Sequence, residues 1–268
     1  MNAHKMISKV FLIAILGFFT IGNAEAQTQT FDAYQKKWLV QGPDTLPYRL
    51  LLPQNFEASK KYPLILFLHG AGERGRDNEA QLMHGGNLFL SDSVRRNFPA
   101  IVVFPQCAAN SYWSNVQRRT DSTGQTIFTF QEDGAPTRDM AMVENLLEEL
   151  QRQYKIKGDQ IYVMGLSMGG MGTFEIVRRH PDLFAAAIPI CGDANPATAS
   201  QLKRVKWWVF HGAKDNVVPP HFSEDMIAAL KAQGAQAKFT VYPEAGHNSW
   251  DSAFAEPDLL PWLFAQHK

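Results

Sequence analysis

The sequence has little cysteine and no net charge. Cys107 and Cys191 are its two cysteines among 268 residues, and 26 basic side chains balance 26 acidic ones. Two cysteines could form at most one disulfide, and only in an oxidising compartment. Zero net charge leaves no electrostatic footprint for nucleic acid or for an anionic membrane. We therefore expect the partner of this protein to be a small or neutral molecule.

Several cofactor motifs are also missing. The eight histidines show no metal-ligand spacing such as H-E-x-x-H, so we expect no metal site. The glycine-rich segment "GLSMGG" at 165–170 is not followed by a Lys-Ser or Lys-Thr pair, which disfavours a Walker loop. It also lacks the G-x-G-x-x-G spacing of dinucleotide-binding turns, and we expect that the protein needs no cofactor.

The N-terminal segment has the pattern of a secretory signal peptide. Lys5 and Lys9 precede an apolar run at 10–21, and small residues flank a cleavage site after Ala26. The alternative is an uncleaved N-terminal anchor. Cleavage would leave residues 27–268 as a single catalytic domain, secreted or periplasmic, without a stable membrane anchor. The oligomeric state is not readable from the sequence.

Short apolar segments rich in β-branched and aromatic residues alternate with helical patterns along the chain. Several show no polar alternation, as expected for strands buried on both faces of a parallel sheet. The predicted strands lie at 36–40, 47–53, 62–70, 100–106, 159–165, 185–191, 206–212 and 238–246. This alternation predicts a doubly wound, mostly parallel α/β sheet, and the first two strands read as an antiparallel hairpin.

Two intervening segments carry a clear helical period. One begins after Thr137, which is placed to cap it, and the other ends at Gly234. The apolar stripe predicted for the first helix consists of Ala141, Val143, Leu146, Leu147 and Leu150.

Ser167 stands between two glycines at a strand-to-helix transition. Gly165 to Gly169 fits the pattern G-x-S-x-G, which forces the serine into a strained turn and exposes its hydroxyl at a helix N-terminus. An ordinary glycine-rich turn is the alternative for the pentapeptide alone. The motif indicates a catalytic serine when a candidate base and a candidate acid follow at the ends of later strands.

A candidate acid and a candidate base occur in the order required. Asp215 follows the predicted strand at 206–212, and His247 follows the last strand. A serine hydroxyl needs an imidazole to accept its proton and a carboxylate to orient that imidazole. Asp193, at the preceding strand exit, is the rival acid. Backbone amides of Ala71 and Met168 are the predicted oxyanion hole.

The motifs resemble those of a known superfamily. The chain reads "HGAGERG" at 69–75, "PQC" at 105–107, then Trp113, "GLSMGG", "HGAKDNVVP" and "GHNSW". It resembles the α/β-hydrolases, and more narrowly the secreted carboxylesterases, feruloyl esterases and predicted peptidases that share this loop. The resemblance covers residues 38–262 and implies the α/β-hydrolase fold and ester hydrolysis, with feruloyl, acetyl and general carboxylic esters among the substrates.

The strand order that the resemblance implies also bears on the cysteines. Two strands would separate those that precede Cys107 and Cys191, which places the thiols about 14 Å apart. A disulfide needs Cα atoms within about 7 Å, so we expect two free thiols.

The expected activity is acyl transfer from a carbohydrate-linked ester through Ser167, His247 and Asp215. Trp113 and Trp250 are predicted to contact substrate, although Trp250 also suits a core position under the His247 loop.

Residues 114–136 form an insertion, with a strand in "TIFTF" and a turn at Thr123-Gly124. It is either a clamp over the substrate or a solvated loop. Two alternatives remain for the function: a peptidase of the same fold and a non-catalytic carbohydrate-binding protein.

Overall fold

The computed structural model describes residues 30–122, 124, 126–131 and 133–268. The signal peptide predicted for residues 1–26 lies outside the described residues, and so does Thr123 of the predicted turn. The prediction of cleavage after Ala26 therefore stays a prediction.

Every strand predicted from the apolar segments is present. The strands are β1 Gln35–Gln41, β2 Asp44–Leu51, β3 Tyr62–Leu68, β4 Ile101–Pro105, β5 Val116–Thr120, β6 Thr126–Phe130, β7 Ile156–Leu166, β8 Ala186–Ile190, β9 Lys206–Gly212 and β10 Ala237–Tyr242. Eight of them form one sheet in the order β1-β2-β4-β3-β7-β8-β9-β10. The pairs β1–β2 and β2–β4 are antiparallel, and the pairs from β4 onward are parallel. This is the predicted fold class, with its N-terminal hairpin.

Helices cover both faces of the sheet. They are α1 Asp92–Asn97, α2 Arg138–Gln153, α3 Met168–Arg179, α4 Ala199–Leu202, α5 His221–Ala232, α6 Trp250–Phe254 and α7 Leu259–Phe264. Short 3₁₀ turns lie at Ala71–Glu73, Ala80–Leu82, Gly86–Phe89 and Pro196–Thr198. As predicted, the Thr137 hydroxyl accepts a hydrogen bond from the amide of Met140 and caps α2. Ala141 is only half-buried, so the buried stripe of α2 instead includes Met140 and Met142.

The central strands are buried on both faces, which explains their continuous apolar sequence. In β3, Leu64, Leu66 and Leu68 belong to one hydrophobic core, which includes residues of α2 and α3. Ile65 and Phe67 point to the opposite face and pack in a second core, which includes residues of α6 and α7. Each fully buried side chain of this kind stabilises the fold by about 1.5–3 kcal/mol.

The insertion at 114–136 forms a separate two-stranded antiparallel hairpin. Strand β5 pairs with β6 from Val116 opposite Phe130 to Thr120 opposite Thr126. Because the insertion follows the carboxyl end of β4, it starts at the edge of the sheet where β7, β8 and β9 also end. The predicted strand in "TIFTF" is therefore confirmed.

The described residues include no helix that is both long enough and apolar enough to cross a bilayer.

Candidate active site

Ser167 occupies a sharp turn between β7 and α3. Its backbone angles, φ 54° and ψ −119°, are unfavourable for a residue with a side chain. The flanking glycines make this turn possible: a Cβ on Gly165 would lie 2.2 Å from the carbonyl oxygen of Gly169. A Cβ on Gly169 would lie 1.9 Å from the carbonyl oxygen of Leu68. Only glycine fits at either position, as the sequence pattern predicts.

The side chains at three strand exits form a continuous hydrogen-bonded chain. Ser167 Oγ lies 2.9 Å from His247 Nε2, and His247 Nδ1 lies 2.7 Å from Asp215 Oδ2. A carboxylate only accepts hydrogen bonds, so Nδ1 carries the imidazole hydrogen and Nε2 is left to accept from the serine hydroxyl. The three predicted residues are thus brought together in the predicted order, and in a tautomer suited to proton abstraction.

Asp215 is held in its ionised form by hydrogen bonds. Burial alone would raise its pKa, but bonds from His211, from His247 and from the amide of Val218 outweigh burial and lower the pKa below its usual range. The Oδ1 atom accepts from the amides of Val217 and Val218 at 2.8 and 3.0 Å. The carboxylate is therefore fixed in position from the side opposite His247.

His211 is a member of this network that our sequence reasoning missed. Its ring is fully buried, and Nε2 lies 3.2 Å from Asp215 Oδ2 and 2.8 Å from the carbonyl oxygen of Val218. Both of these atoms are acceptors, so Nε2 must carry a hydrogen. On the other side, Nδ1 lies 2.8 Å from Ser223 Oγ. The signal in the sequence was a histidine at the end of an otherwise apolar strand, four residues before Asp215.

The loop that follows β3 lies against Ser167. A Cβ on Gly70, the residue before Ala71, would be 3.6 Å from the Cβ of Ser167, so this loop contacts the serine turn. Met168 is the first residue of α3, and the first amides of a helix have no partner within the helix. The amides of Ala71 and Met168 therefore belong to the two segments that adjoin Ser167, and their role as the oxyanion hole stays a prediction.

His69 and Trp113 brace this loop from below. The Nδ1 of His69 donates to the carbonyl of Gly70 at 2.6 Å, and its Nε2 accepts from the amide of Cys107 at 3.0 Å. Burial lowers the pKa of His69 to about 4, so the ring is neutral. The sequence predicts that Trp113 contacts substrate. Instead its side chain is fully buried, and its Nε1 donates to the carbonyl of His69, so the ring presents no surface to a ligand.

Trp250, the second predicted substrate contact, lies at the side of the imidazole. Its ring meets that of His247 edge-on, with centroids 5.5 Å apart, and is 5.0 Å from the ring of His84. The side chain is half-buried rather than fully buried. A partly exposed aromatic face therefore adjoins His247.

Asp193, the rival acid, follows the neighbouring strand β8 and does not reach His247 as Asp215 does. Its Oδ1 atom accepts from the amide of Ala194 at 2.6 Å. Burial, together with the nearby charge of Asp225, raises the pKa of Asp193 to about 7. A carboxyl group that is partly neutral at pH 7 is poorly suited to stabilising an imidazolium.

Both cysteines are buried and free, as expected from the strand order. Cys191 lies beneath the site, and its sulfur is within 4.8 Å of ligand atoms of Asp215 and His247. Burial raises the pKa of the Cys191 thiol, which keeps it neutral. These three residue types can ligate metal ions, but here Asp215 and His247 are hydrogen-bonded to each other.

The sheet order, the strained serine turn and the position of the serine, acid and base at strand exits define an α/β-hydrolase. The chain belongs to the Phospholipase/Carboxylesterase family, which it matches over residues 56–256.

Three relatives illustrate the similarity. A probable carboxylesterase of Oryza sativa subsp. japonica is 25% identical over 202 residues, covering 72% of this chain and 85% of the relative. An endo-1,4-beta-xylanase/feruloyl esterase of Xylanibacter ruminicola is 27% identical over 194 residues, covering 70% of this chain but 24% of the relative. The crystal structure of a thermostable esterase is 33% identical, with a TM-score of 0.79, and the match covers 89% of this chain and 64% of that one. The protein is a serine hydrolase that acts on carboxylic esters.

Proposed function

We propose that the protein hydrolyses carbohydrate-linked carboxylic esters, feruloyl or acetyl, outside the cytoplasm. Ser167 is the nucleophile, His247 the general base and then the general acid, and Asp215 the residue that orients His247. The observation that carries this proposal is the unbroken chain from Ser167 Oγ to His247 Nε2 and from His247 Nδ1 to Asp215, at 2.9 and 2.7 Å.

Acylation follows from this geometry. As Ser167 Oγ attacks the ester carbonyl carbon, its proton passes to His247 Nε2, and the carbonyl oxygen becomes an oxyanion. The amides of Ala71 and Met168 donate to that oxyanion. The ionised Asp215 stabilises the imidazolium without itself taking the proton. His247 then gives its proton to the departing alcohol oxygen, which leaves the acyl group on Ser167.

Deacylation repeats these steps with water as the nucleophile. Water loses a proton to His247 Nε2 while its oxygen attacks the acyl carbon, and the same two amides hold the second oxyanion. Collapse of the intermediate returns the proton to Ser167 Oγ and releases the carboxylic acid. Asp215 serves both halves of the cycle because its bonds to Val217 and Val218 leave Oδ2 facing His247.

Support for a carbohydrate-linked substrate comes from a relative and from one side chain. The name of the Xylanibacter ruminicola relative pairs xylanase with feruloyl esterase. In this chain the half-buried ring of Trp250 adjoins His247. A flat apolar face at that position suits a sugar ring or an aromatic acyl group.

The first test is kcat/KM of residues 27–268 on methyl ferulate and on p-nitrophenyl acetate, with Ser167→Ala as the blank. We expect turnover of both esters and a loss of at least about 10³-fold in kcat for Ser167→Ala. A strong preference for ferulate identifies an aromatic acyl pocket, and turnover of acetate alone identifies a short-chain or acetyl esterase. If neither ester is hydrolysed while a chromogenic peptide is cleaved, the peptidase alternative replaces the proposal.

Residues 27–268 are proposed to form one catalytic domain that is exported after cleavage at Ala26. Expression of the full-length chain in a bacterial host, followed by N-terminal sequencing of the exported protein, checks both points. A mature N-terminus at Gln27 is expected. A membrane-bound product that retains residues 1–26 contradicts the proposal of cleavage.

A further inference from the structure

A cleft with a volume of about 310 Å³ opens between the hairpin insertion and the loop after β8. Phe128 and Phe130 line it from strand β6, and Phe222 lines it from the start of α5. Asp193 and Asp225 supply carboxylates to the same cleft. Its volume is at the lower end of the range of about 300–1,000 Å³ usual for ligand pockets.

Gly192, the residue before Asp193, connects the loop that lines the cleft to helix α3, which begins directly after Ser167. Gly170, three residues after Ser167, packs so closely that a Cβ there would lie 2.9 Å from the Cα of Gly192. The carbonyl of Gly192 also accepts a hydrogen bond from Ser223, the neighbour of Phe222 on α5. The loop after β8, which forms one wall of the cleft, thus packs against α3 and is hydrogen-bonded to α5, which forms another wall.

The aromatic side chains of the cleft form a partly exposed apolar wall. The rings of Phe128 and Phe222 meet edge to face with centroids 5.9 Å apart, and the rings of Phe128 and Phe130 are 6.3 Å apart. All three side chains are half-buried. Because Phe128 on the hairpin contacts Phe222 on α5, the insertion is packed against the domain and is not a freely solvated loop.

The carboxylates differ in setting. Asp193 is 3% exposed, and one of its oxygens binds the amide of Ala194, whereas Asp225 is exposed. Carboxyl oxygens beside flat aromatic faces suit a ligand that has several hydroxyl donors and also an apolar face. A sugar ring has both, since its hydroxyls project around the rim while its C–H groups form a face.

We propose that this cleft is a sugar subsite that binds the alcohol side of the ester, with ring hydroxyls on Asp193 and Asp225 and the apolar face of the ring on Phe128 and Phe222. The inference rests on the proposed function and deepens it. It assigns the hairpin insertion to recognition of the leaving group.

The test compares two acetate esters that form the same acyl-enzyme, an acetylated methyl xyloside and p-nitrophenyl acetate. The two esters share the acetyl group, and kcat/KM covers only the steps up to release of the alcohol. A change in the ratio of their kcat/KM values therefore reports on the alcohol. We expect Asp225→Asn to lower this ratio about tenfold, because a charged hydrogen-bond acceptor for a hydroxyl is lost. Phe128→Leu, which keeps apolar volume but removes the flat face, is expected to lower the ratio about fivefold.

Asp182→Asn is the matched control, since Asp182 is exposed and lies before β8 at the opposite edge of the sheet. This control should leave the ratio unchanged. A ratio unchanged in Asp225→Asn and in Phe128→Leu, with p-nitrophenyl acetate still hydrolysed, overturns the sugar subsite but leaves the esterase proposal intact. Absence of any ester hydrolysis by the unmodified protein overturns the proposed function itself. A selective loss on methyl ferulate would place the acyl group in the cleft and also overturn the subsite.

Discussion

The loops after β8 and β9 leave neighbouring strands, and each carries a buried carboxyl group. Asp193 is 3% exposed and Asp215 is 6% exposed, so burial alone would raise the pKa of both. Their pKa values nevertheless move in opposite directions, since that of Asp193 rises to about 7 and that of Asp215 falls. Burial therefore does not decide which of the two carboxyl groups is charged.

The difference lies in the donors that each loop supplies. Asp215 receives hydrogen bonds from two backbone amides and from two imidazole rings. Asp193 accepts from the amide of Ala194, and Asp225 opposes its ionisation. A tight turn that points amides at a carboxylate gives an anion that can stabilise an imidazolium. The loop after β8 supplies one amide and leaves Asp193 beside the charge of Asp225, so this carboxyl group is only partly ionised at pH 7.

The largest expected effect separates the two acids directly. Asp215→Asn should lower kcat about 10³- to 10⁴-fold, because an amide can donate to His247 Nδ1 and stabilise the wrong tautomer. Asp193→Asn should lower kcat on p-nitrophenyl acetate less than about tenfold, because Asp193 is not bonded to His247. A larger loss in Asp193→Asn than in Asp215→Asn would reverse the assignment of the acid.

A smaller effect should follow from His211, which we expect to position Asp215. His211→Asn removes the donor at Asp215 Oδ2 and should lower kcat about 10- to 100-fold with little change in KM, because the acid–base pair is misplaced. The pH–rate profile should shift as well, since the charge of Asp215 is less well stabilised.

Ser223→Ala is the matched control for His211. It removes the partner of Nδ1 but leaves Nε2 against Asp215, so its effect on kcat should be smaller than that of His211→Asn. A purely structural role for His211 would instead lower the melting temperature while kcat and the pH–rate profile stay those of the unmodified protein.

The smallest effect concerns stability and pH. Asp193 has a pKa of about 7 in the folded state, whereas in the unfolded chain it releases its proton near its ordinary pKa of 3.8. The folded state therefore binds more protons between these values, and the free energy of unfolding falls as the pH rises through them. Asp193→Asn removes this contribution. The unmodified protein should therefore lose stability relative to the variant as the pH rises from 4.5 to 7.5. The difference between their free energies of unfolding should change by on the order of 1–3 kcal/mol in favour of the variant.

Urea unfolding of both proteins at pH 4.5 and pH 7.5 measures this change, as the difference between the two proteins in how far their free energy of unfolding changes with pH. Asp225→Asn should reduce the pH dependence without abolishing it, because Asp225 is the lesser cause of the raised pKa. An equal pH dependence in the Asp193→Asn variant and the unmodified protein would show that Asp193 is ionised in the fold.

Much of the fold was predictable because its signals are local. The apolar run at 62–68 reads as a strand buried on both faces, and Leu64 and Ile65 do pack in opposite cores. Thr137 was identifiable as a cap because a hydroxyl before a helical period is a local feature. Ala141 was misplaced because the stripe of α2 also admits methionines, which adapt their shape to the core.

The site was predictable only in part. Gly165, Ser167 and Gly169 form a local motif. It is recognisable in the sequence because the sharp turn at Ser167 requires a residue without a side chain at both glycine positions. Trp113 was predicted to contact substrate because it follows the end of a predicted strand. The direction of its ring, however, depends on packing with His69. His211 was overlooked because its partners, Asp215 Oδ2 and Ser223, are recognised only in three dimensions.

The sequence by itself determined the alternation of strands and helices, the serine turn and the order of nucleophile, acid and base, because each depends on nearby residues. Tertiary structure decided how Asp215 is held against His247 and what the hairpin of β5 and β6 packs against. These depend on distances between residues remote in the chain, such as the 2.7 Å between His247 Nδ1 and Asp215 Oδ2. Parallel strands bring such residues to one edge, and only the packed sheet sets their spacing.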